Sequence, residues 1–281
     1  MKTIAHISDL HFGRTDADVL EDLKLAVISA KPDLVVVSGD LTQRARSHEF
    51  AAARDFLKQL PQPQIVVPGN HDVPLYNVLK RWLMPLTGYR RYITQNLSPF
   101  YAEGEIAVLG INTARALTLK NGRINRAQIA HACEIFARLP SGMVRMVVTH
   151  HPFALPERTS HRAIVGRARR AMRAFAACKV DIVLSGHLHV SQAVTSEVLY
   201  AGSHTALLVQ AGTATSSRRR HEANAFNLLH VNGETVVVER LSWANNAFVP
   251  IAHERFRRAE EGWLVEKAAY GRSHTKQTAW I

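Results

Sequence analysis

The 281-residue chain has only two cysteines, Cys133 and Cys178, far apart in helix-like surroundings. Two such residues give neither a disulfide framework nor a C-x-x-C motif, so no disulfide is expected and a thiolate-bound structural zinc is excluded. No apolar run approaches the roughly 18 residues that a membrane helix needs. The amino terminus, MKTIAHISDLHFG, has one Lys and a short apolar stretch but no long h-region. A signal peptide is therefore not expected, and the cytoplasm is the expected compartment. No internal repeat is visible. Acidic residues are outnumbered, 23 Asp and Glu against 35 Lys and Arg, for a net charge of +12. That balance favours anionic partners such as phosphates, nucleic acid or an acidic membrane surface. A generally basic surface with no special partner explains it equally well.

What is present is ordinary for a globular protein: 47% hydrophobic and 21% charged residues, in a length that suits one large domain or two small ones. The chain reads as strand, polar motif, helix, repeated. Strands are expected at 2–8, 33–38, 64–67, 105–112, 145–149 and 181–185. Helices are expected at 17–30, 47–59, 75–83, 125–139 and 167–177. Residues 85–103, rich in Tyr and Arg, read as irregular. Beyond His189 the texture changes to short β segments as far as residue 253. Residues 254–281 read as a charged tail or peripheral helix outside a domain of residues 1–253. Alternating strands and helices followed by a run of strands imply an α/β fold whose sheet halves pack face to face, with helices outside.

Polar clusters follow the apolar strands one after another. Asp9 and His11 follow the first strand, and Asp40 follows VVVSG. Asn70, His71 and Asp72 follow IVVPG, His150 and His151 follow MVVT, and His187 and His189 follow IVLSG. Ligands of open α/β sheets gather outside the carboxyl ends of the strands, so these residues describe one convergent site. Carboxylate, imidazole and amide oxygens suit manganese, iron or zinc. Seven such ligands are too many for one ion, and a shared carboxylate lets two ions sit about 3.5–4 Å apart, where they clamp both ends of a phosphoryl transfer.

The series DLH, GD, GNHD, HHP and GHLH, in that order over positions 9 to 189, resembles the calcineurin-like metallophosphoesterase superfamily. The resemblance implies a four-layer αββα sandwich of two mixed β-sheets. It also implies that Asp9, His11 and His189 hold one metal, that Asn70, His150 and His187 hold a second, and that Asp40 bridges them. His71 would then contact the phosphate or protonate the leaving oxygen, with Asp72 orienting its imidazole, while water activated by the metals attacks. His151 would line the pocket. Within the superfamily, Gln43 stands where purple acid phosphatases carry their iron-binding tyrosine. Asp72 stands where protein phosphatases carry Glu.

The pattern resembles most the bacterial cyclic-nucleotide and small-diester phosphodiesterases, which implies a small phosphodiester substrate. Nucleotide-lipid pyrophosphate hydrolysis and DNA-repair-type nuclease activity are the alternatives, so nucleic acid is a possible but less favoured partner. A catalytically inactive interaction scaffold is the reading from another class. Arg90 and Arg91, among aromatic residues, and Arg218 and Arg220, in a basic loop, are candidate substrate contacts, although each run also reads as a solvated charged face. His6, within the first strand, reads as a packed histidine. Oligomeric state is not legible.

Overall fold

In the computed structural model, described residues are 1–75, 78–116, 118, 121–155, 164–200, 204–215 and 222–266. Two sheets form. The first holds β1 (Lys2–Ile7), β2 (Leu34–Val37), β3 (Gln64–Val66), β10 (Ala225–Val231), β11 (Thr235–Ala244), β12 (Ala247–Ala259) and β13 (Gly262–Val265), in the order β13-β12-β11-β10-β1-β2-β3. The second holds β4 (Phe100–Glu103), β5 (Ile106–Gly110), β6 (Val144–Val148), β7 (Ile182–Ser185), β8 (Gln192–Thr195) and β9 (Leu207–Gln210), in the order β4-β5-β6-β7-β9-β8. Both are mixed: β1-β2-β3 and β5-β6-β7-β9 run parallel, and the remaining pairs run antiparallel.

Period-two alternation decides the layering. In β1, Ile4 packs between the sheets with Val36, Val148 and Leu184, while Ala5 and Ile7 face the other way. The outer face of the first sheet is covered by α1 (Ala17–Ser29), α2 (Ser47–Leu57) and α4 (Thr87–Tyr92), through Val19, Leu23, Phe50, Phe56 and Tyr89. On the second sheet, α5 (Arg126–Ala137) and α6 (Ala168–Ala177) bury Phe136, Met172 and Phe175 against Val147 and Val183. The result is the expected four-layer αββα sandwich. The short α3 (Val78–Leu83) lies outside those layers and leaves Leu79, Trp82 and Leu83 exposed.

Local chemistry fixes the helix starts. The Asp16 carboxylate accepts from the backbone N–H of Asp18 and Val19 at the head of α1. Asn125 and Gln128 exchange side-chain and backbone hydrogen bonds at the head of α5, a reciprocal cap. Glu49 reaches back from the first turn of α2 to the N–H groups of Arg44 and Arg46, which leaves Ser47 inside the helix rather than capping it.

Several expectations are corrected. Residues 85–103 contain α4 and β4, and Tyr89 of α4 is fully buried and donates to the Val66 carbonyl, while Phe100 of β4 stays exposed. Residues 254–265 are neither tail nor peripheral helix. They complete β12 and form β13, with Phe256 and Trp263 driven into the intersheet core, Arg258 turned in to Asp181, and Arg257, Glu260 and Glu261 exposed. Residues 267–281 lie outside the described residues. Cys133 and Cys178 are disulfide-bonded, because α5 and the end of α6 lie side by side and bring their Cα atoms to 5.3 Å, well inside disulfide reach.

Candidate metal centre

The loops after β1, β2, β3, β6 and β7 meet at one edge of the sandwich. Backbone hydrogen bonds zip the first two together, Asp9 N–H to the Gly39 carbonyl at 3.0 Å and His11 N–H to the Asp40 carbonyl at 2.9 Å. Two bonds then cross between the sheets. The Nδ1 of His150 donates to the Ser38 carbonyl at 2.8 Å, and the His187 N–H donates to Oδ2 of Asp9 at 3.0 Å. Gly69 is required where it stands, since a Cβ there would collide with the Asp40 carboxylate.

The backbone is strained where the polar side chains converge. Asp9, His11, Asp40, His187 and His189 have φ of 53°, 50°, 51°, 79° and 60°, the left-handed region that side-chain-bearing residues avoid. Each such residue costs on the order of 1 kcal/mol, a price that sandwich packing sustains and that clusters at functional sites.

Two groups of donor atoms result. In the first, Oδ1 of Asp9 lies 3.6 Å from Nε2 of His11 and 3.7 Å from Nε2 of His189, all buried. In the second, Nε2 of His150 lies 3.1 Å from Oδ1 of Asn70 and 3.3 Å from Nδ1 of His187. Oδ2 of Asp40 stands between them, 3.9 Å from Nε2 of His11 and 3.3 Å from Nε2 of His150. Oδ1 of Asp9 and both ring nitrogens of His11 are buried without a hydrogen-bond partner. Buried polar atoms left unpaired in a strained cluster fit cation ligands, and the oxygen and nitrogen donor set suits manganese, iron or zinc. Outer contacts fix the rings: Nδ1 of His189 pairs with the Thr213 hydroxyl, and Nδ1 of His150 with the Ser38 carbonyl, which leaves each Nε2 facing inward.

The electrostatics agree. Burial would push the Asp40 carboxyl up, but the surrounding imidazoles of His150, His71 and His11 hold it well below the ordinary carboxylate range. Burial likewise opposes a proton on His150, yet the adjacent Asp40 and Asp9 raise its pKa to about 9. The carboxylates thus favour positive charge, which a bound cation would supply in place of that proton.

Further polar residues stand at this edge, and a ring nitrogen of His71 falls within 4.8 Å of ligand atoms of His11 and Asp40. His71 donates from Nδ1 to the Gln43 carbonyl at 2.8 Å, and its backbone N–H donates to Oδ1 of Asp40 at 2.8 Å. The expectation that Asp72 orients this ring is corrected. The Asp72 carboxylate instead accepts from the N–H groups of Leu41, Thr42 and Gly69 and from the Thr42 hydroxyl, clamping the second motif to the third. The Gln43 carbonyl orients the imidazole, a role no side-chain pattern announces. His151 is buried with Nδ1 2.8 Å from the Thr113 hydroxyl, and a ring nitrogen of it falls within 4.8 Å of those of His150 and His187.

His6 is packed between the sheets 3.0 Å from the Ser38 hydroxyl, and burial pushes its pKa down to about 3. The folded state therefore excludes a proton that the unfolded chain binds below about pH 6.5, so stability falls as pH drops through that window. Between pH 6.5 and 5 this single group should remove about 1.5 kcal/mol. Urea titrations of wild type and His6→Gln across that range should show a smaller pH-dependent loss in the variant, and parallel losses would exclude His6 as the source.

Of the candidate substrate residues, Arg90 lines a cleft of about 780 Å³ next to this edge, whereas Arg91 lies over the Tyr92 ring, 5.5 Å from its centre. Arg218 and Arg220 lie outside the described residues. Three cleft arginines escaped the sequence reading, Arg115, Arg123 and Arg167. They are isolated in sequence, and only the fold gathers them.

Among the described residues, no helix is long and apolar enough to cross a membrane. The chain is 38% identical over 82 residues to the glycerophosphodiester phosphodiesterase GpdQ of Enterobacter lignolyticus, an alignment covering 25% of this chain and 29% of that protein. Among solved structures it resembles a purple acid phosphatase from yellow lupin seeds, with a TM-score of 0.67 at 12% identity over 89% of this chain and 52% of the other. It also resembles a dimetal phosphatase from Danio rerio, with a TM-score of 0.62 at 12% identity over 89% and 98% of the two chains. Those two likenesses concern the fold. Residues 2–191, which carry all five motifs, match the calcineurin-like phosphoesterase family, and the chain belongs to that family of metal-dependent phosphoesterases.

Proposed function

We propose that the chain hydrolyses small phosphodiesters, a cyclic nucleotide or a related diester, at a pair of manganese, iron or zinc ions. The observation that carries this reading is the position of Asp40, whose Oδ2 stands between two complete donor groups. Asp9, His11 and His189 would hold one ion, and Asn70, His150 and His187 the other. Bound ions of this kind polarise phosphoryl oxygens and lower the pKa of water.

The protein groups do the rest. Gln43 fixes the His71 ring through Nδ1, so Nε2 is the nitrogen available to a phosphoryl oxygen or a departing alkoxide. The ring stands edge-on to His11, 4.9 Å between centres, and so beside the first donor group. The His151 ring packs against that of His187, 4.8 Å between centres. The partial similarity to a glycerophosphodiester phosphodiesterase supports diester rather than monoester chemistry. A complete donor set speaks against an inactive scaffold.

Chelated protein reloaded with Mn²⁺ should hydrolyse bis(p-nitrophenyl) phosphate and, in a panel, favour cyclic nucleotides or glycerophosphodiesters over monoesters. Activity should vanish again with chelator. Silence with manganese, iron and zinc on every diester would overturn the enzyme reading.

A further inference from the structure

Among the described residues, the charged ones lining the cleft beside the metal centre are all arginines. Arg90, Arg115, Arg123 and Arg167 line it with Leu83, Met84, Leu86 and Leu97, and among the described residues no Asp or Glu lines it. We propose that this cleft binds the part of the substrate beyond the scissile bond and selects phosphodiesters that carry a second phosphate or carboxylate on an apolar body. The proposal rests on the phosphodiesterase reading and names the substrate class of that site.

Continuity with the centre comes through His151. Its Nδ1 pairs with Thr113, whose neighbours Asn112 and Ala114 line the cleft. On the other side Gly122 lies so close to the His151 ring that a Cβ there would collide with it, and the next residue is Arg123. A substrate held near His150 and His187 therefore has the arginine-lined space next to it.

The cations are built into position. Arg115 is half-buried and donates to the Ala114 carbonyl at 3.1 Å and to Oε1 of Gln128 at 2.5 Å. Gln128 is itself fixed, its amide donating to the Asn112 carbonyl at 2.7 Å. Arg123 and Arg167 are brought together by a bridge in which Gly166 N–H donates to the Gly122 carbonyl at 2.8 Å and Ile124 N–H to the Gly166 carbonyl at 3.2 Å. Arg167 has φ of 72°, a strained conformation at the head of α6. Burial, then the charge of Arg123, lowers the pKa of Arg115, and burial followed by Arg123, Arg126 and Arg170 lowers that of Arg167. Among the described residues no carboxylate pairs with Arg115, Arg123 or Arg167. Like charges held together without a counterion make an anion receptor, and guanidinium groups suit phosphate and carboxylate geometry.

The facing wall is apolar. Leu83 and Met84 are 71% and 54% exposed, and the half-buried Leu97 and the edge of buried Leu86 complete the lining. Its framework is hydrogen-bonded. The buried Arg81 guanidinium donates to the carbonyls of Pro74, Arg115, Ala116 and Thr118, tying α3 to the loop that carries Arg115. A cleft of this volume accommodates a nucleoside-sized body.

Thymidine 5′-(p-nitrophenyl phosphate), with and without a 3′-phosphate, provides two esters that differ by one anionic group. With Mn²⁺-loaded protein, KM for the 3′-phosphorylated ester should be about tenfold lower, and Arg123→Gln or Arg167→Gln should bring the ratio below about twofold. Arg91→Gln, on a side chain that stacks on Tyr92 outside the cleft, should preserve the ratio. Equal KM values in wild type, or an unchanged ratio in both cleft variants, would overturn the proposal. Calorimetric binding of thymidine 3′,5′-bisphosphate against thymidine 5′-phosphate separates this idea from the enzyme reading. If neither ester is cleaved the phosphodiesterase reading fails, and the subsite then stands only if the bisphosphate binds about tenfold tighter and loses that margin in Arg123→Gln.

Discussion

Asp40→Asn should empty both ion positions together and lower turnover at least about a thousandfold, or about 4 kcal/mol of barrier. One oxygen of this carboxylate accepts from the His71 N–H, and the other lies within 4 Å of a nitrogen from each donor group. An amide keeps the shape but removes the charge that two cations share, and it turns one oxygen into an N–H₂ group that cannot ligate. Elemental analysis should find less than one ion per chain, and the rise in melting temperature that metal gives wild type should disappear. Asn70→Ala is the contrast. Asn70 stands beside His150 in the second donor group, away from Asp9, so one ion should remain. If Asp40→Asn retained two ions and full activity, the bridging role would be refuted.

His71→Ala should have the opposite signature. Both ions should stay, while kcat on bis(p-nitrophenyl) phosphate falls by about 10²–10⁴, the usual contribution of a positioned acid or base. The ring is held through Nδ1 by a backbone carbonyl, which leaves Nε2 for the substrate. Its backbone N–H still reaches Asp40 in the variant, so the bridge itself should survive. Loss of metal in His71→Ala would move this residue into the ligand set. Retained kcat would remove it from the chemistry.

The parts that sequence made legible are those where one residue type has one physical use. Uniform apolar runs such as DLVVVS and DIVLS could only be buried strands, and the polar residues placed just after them had to meet at the strand ends. Asn125 marked the start of its helix, and the structure adds Gln128 as the reciprocal partner of that cap. What was hidden depends on three-dimensional neighbours. Residues 254–265 alternate few apolar side chains with many charges, and only the open edge of β12's partner strand β11 shows that Phe256 and Trp263 belong to the core. Tyr89 lies in a segment that read as irregular and rich in Tyr and Arg, yet it is buried behind α2. Cys133 and Cys178 meet because two helices share a face. Asp72 sits next to His71 in sequence but turns to backbone groups of another loop, so adjacency misled. The arginines of the cleft carry no spacing pattern at all.

The central claim is that two ions share Asp40. Anomalous diffraction at the manganese edge, on crystals of the Mn²⁺-loaded protein, tests it most directly. Two peaks about 3.5–4 Å apart are expected, one against Asp9, His11 and His189, the other against Asn70, His150 and His187, with the Asp40 carboxylate touching both. A single peak, or ions bound elsewhere while Asp40 keeps only its hydrogen bond to His71, would contradict the account.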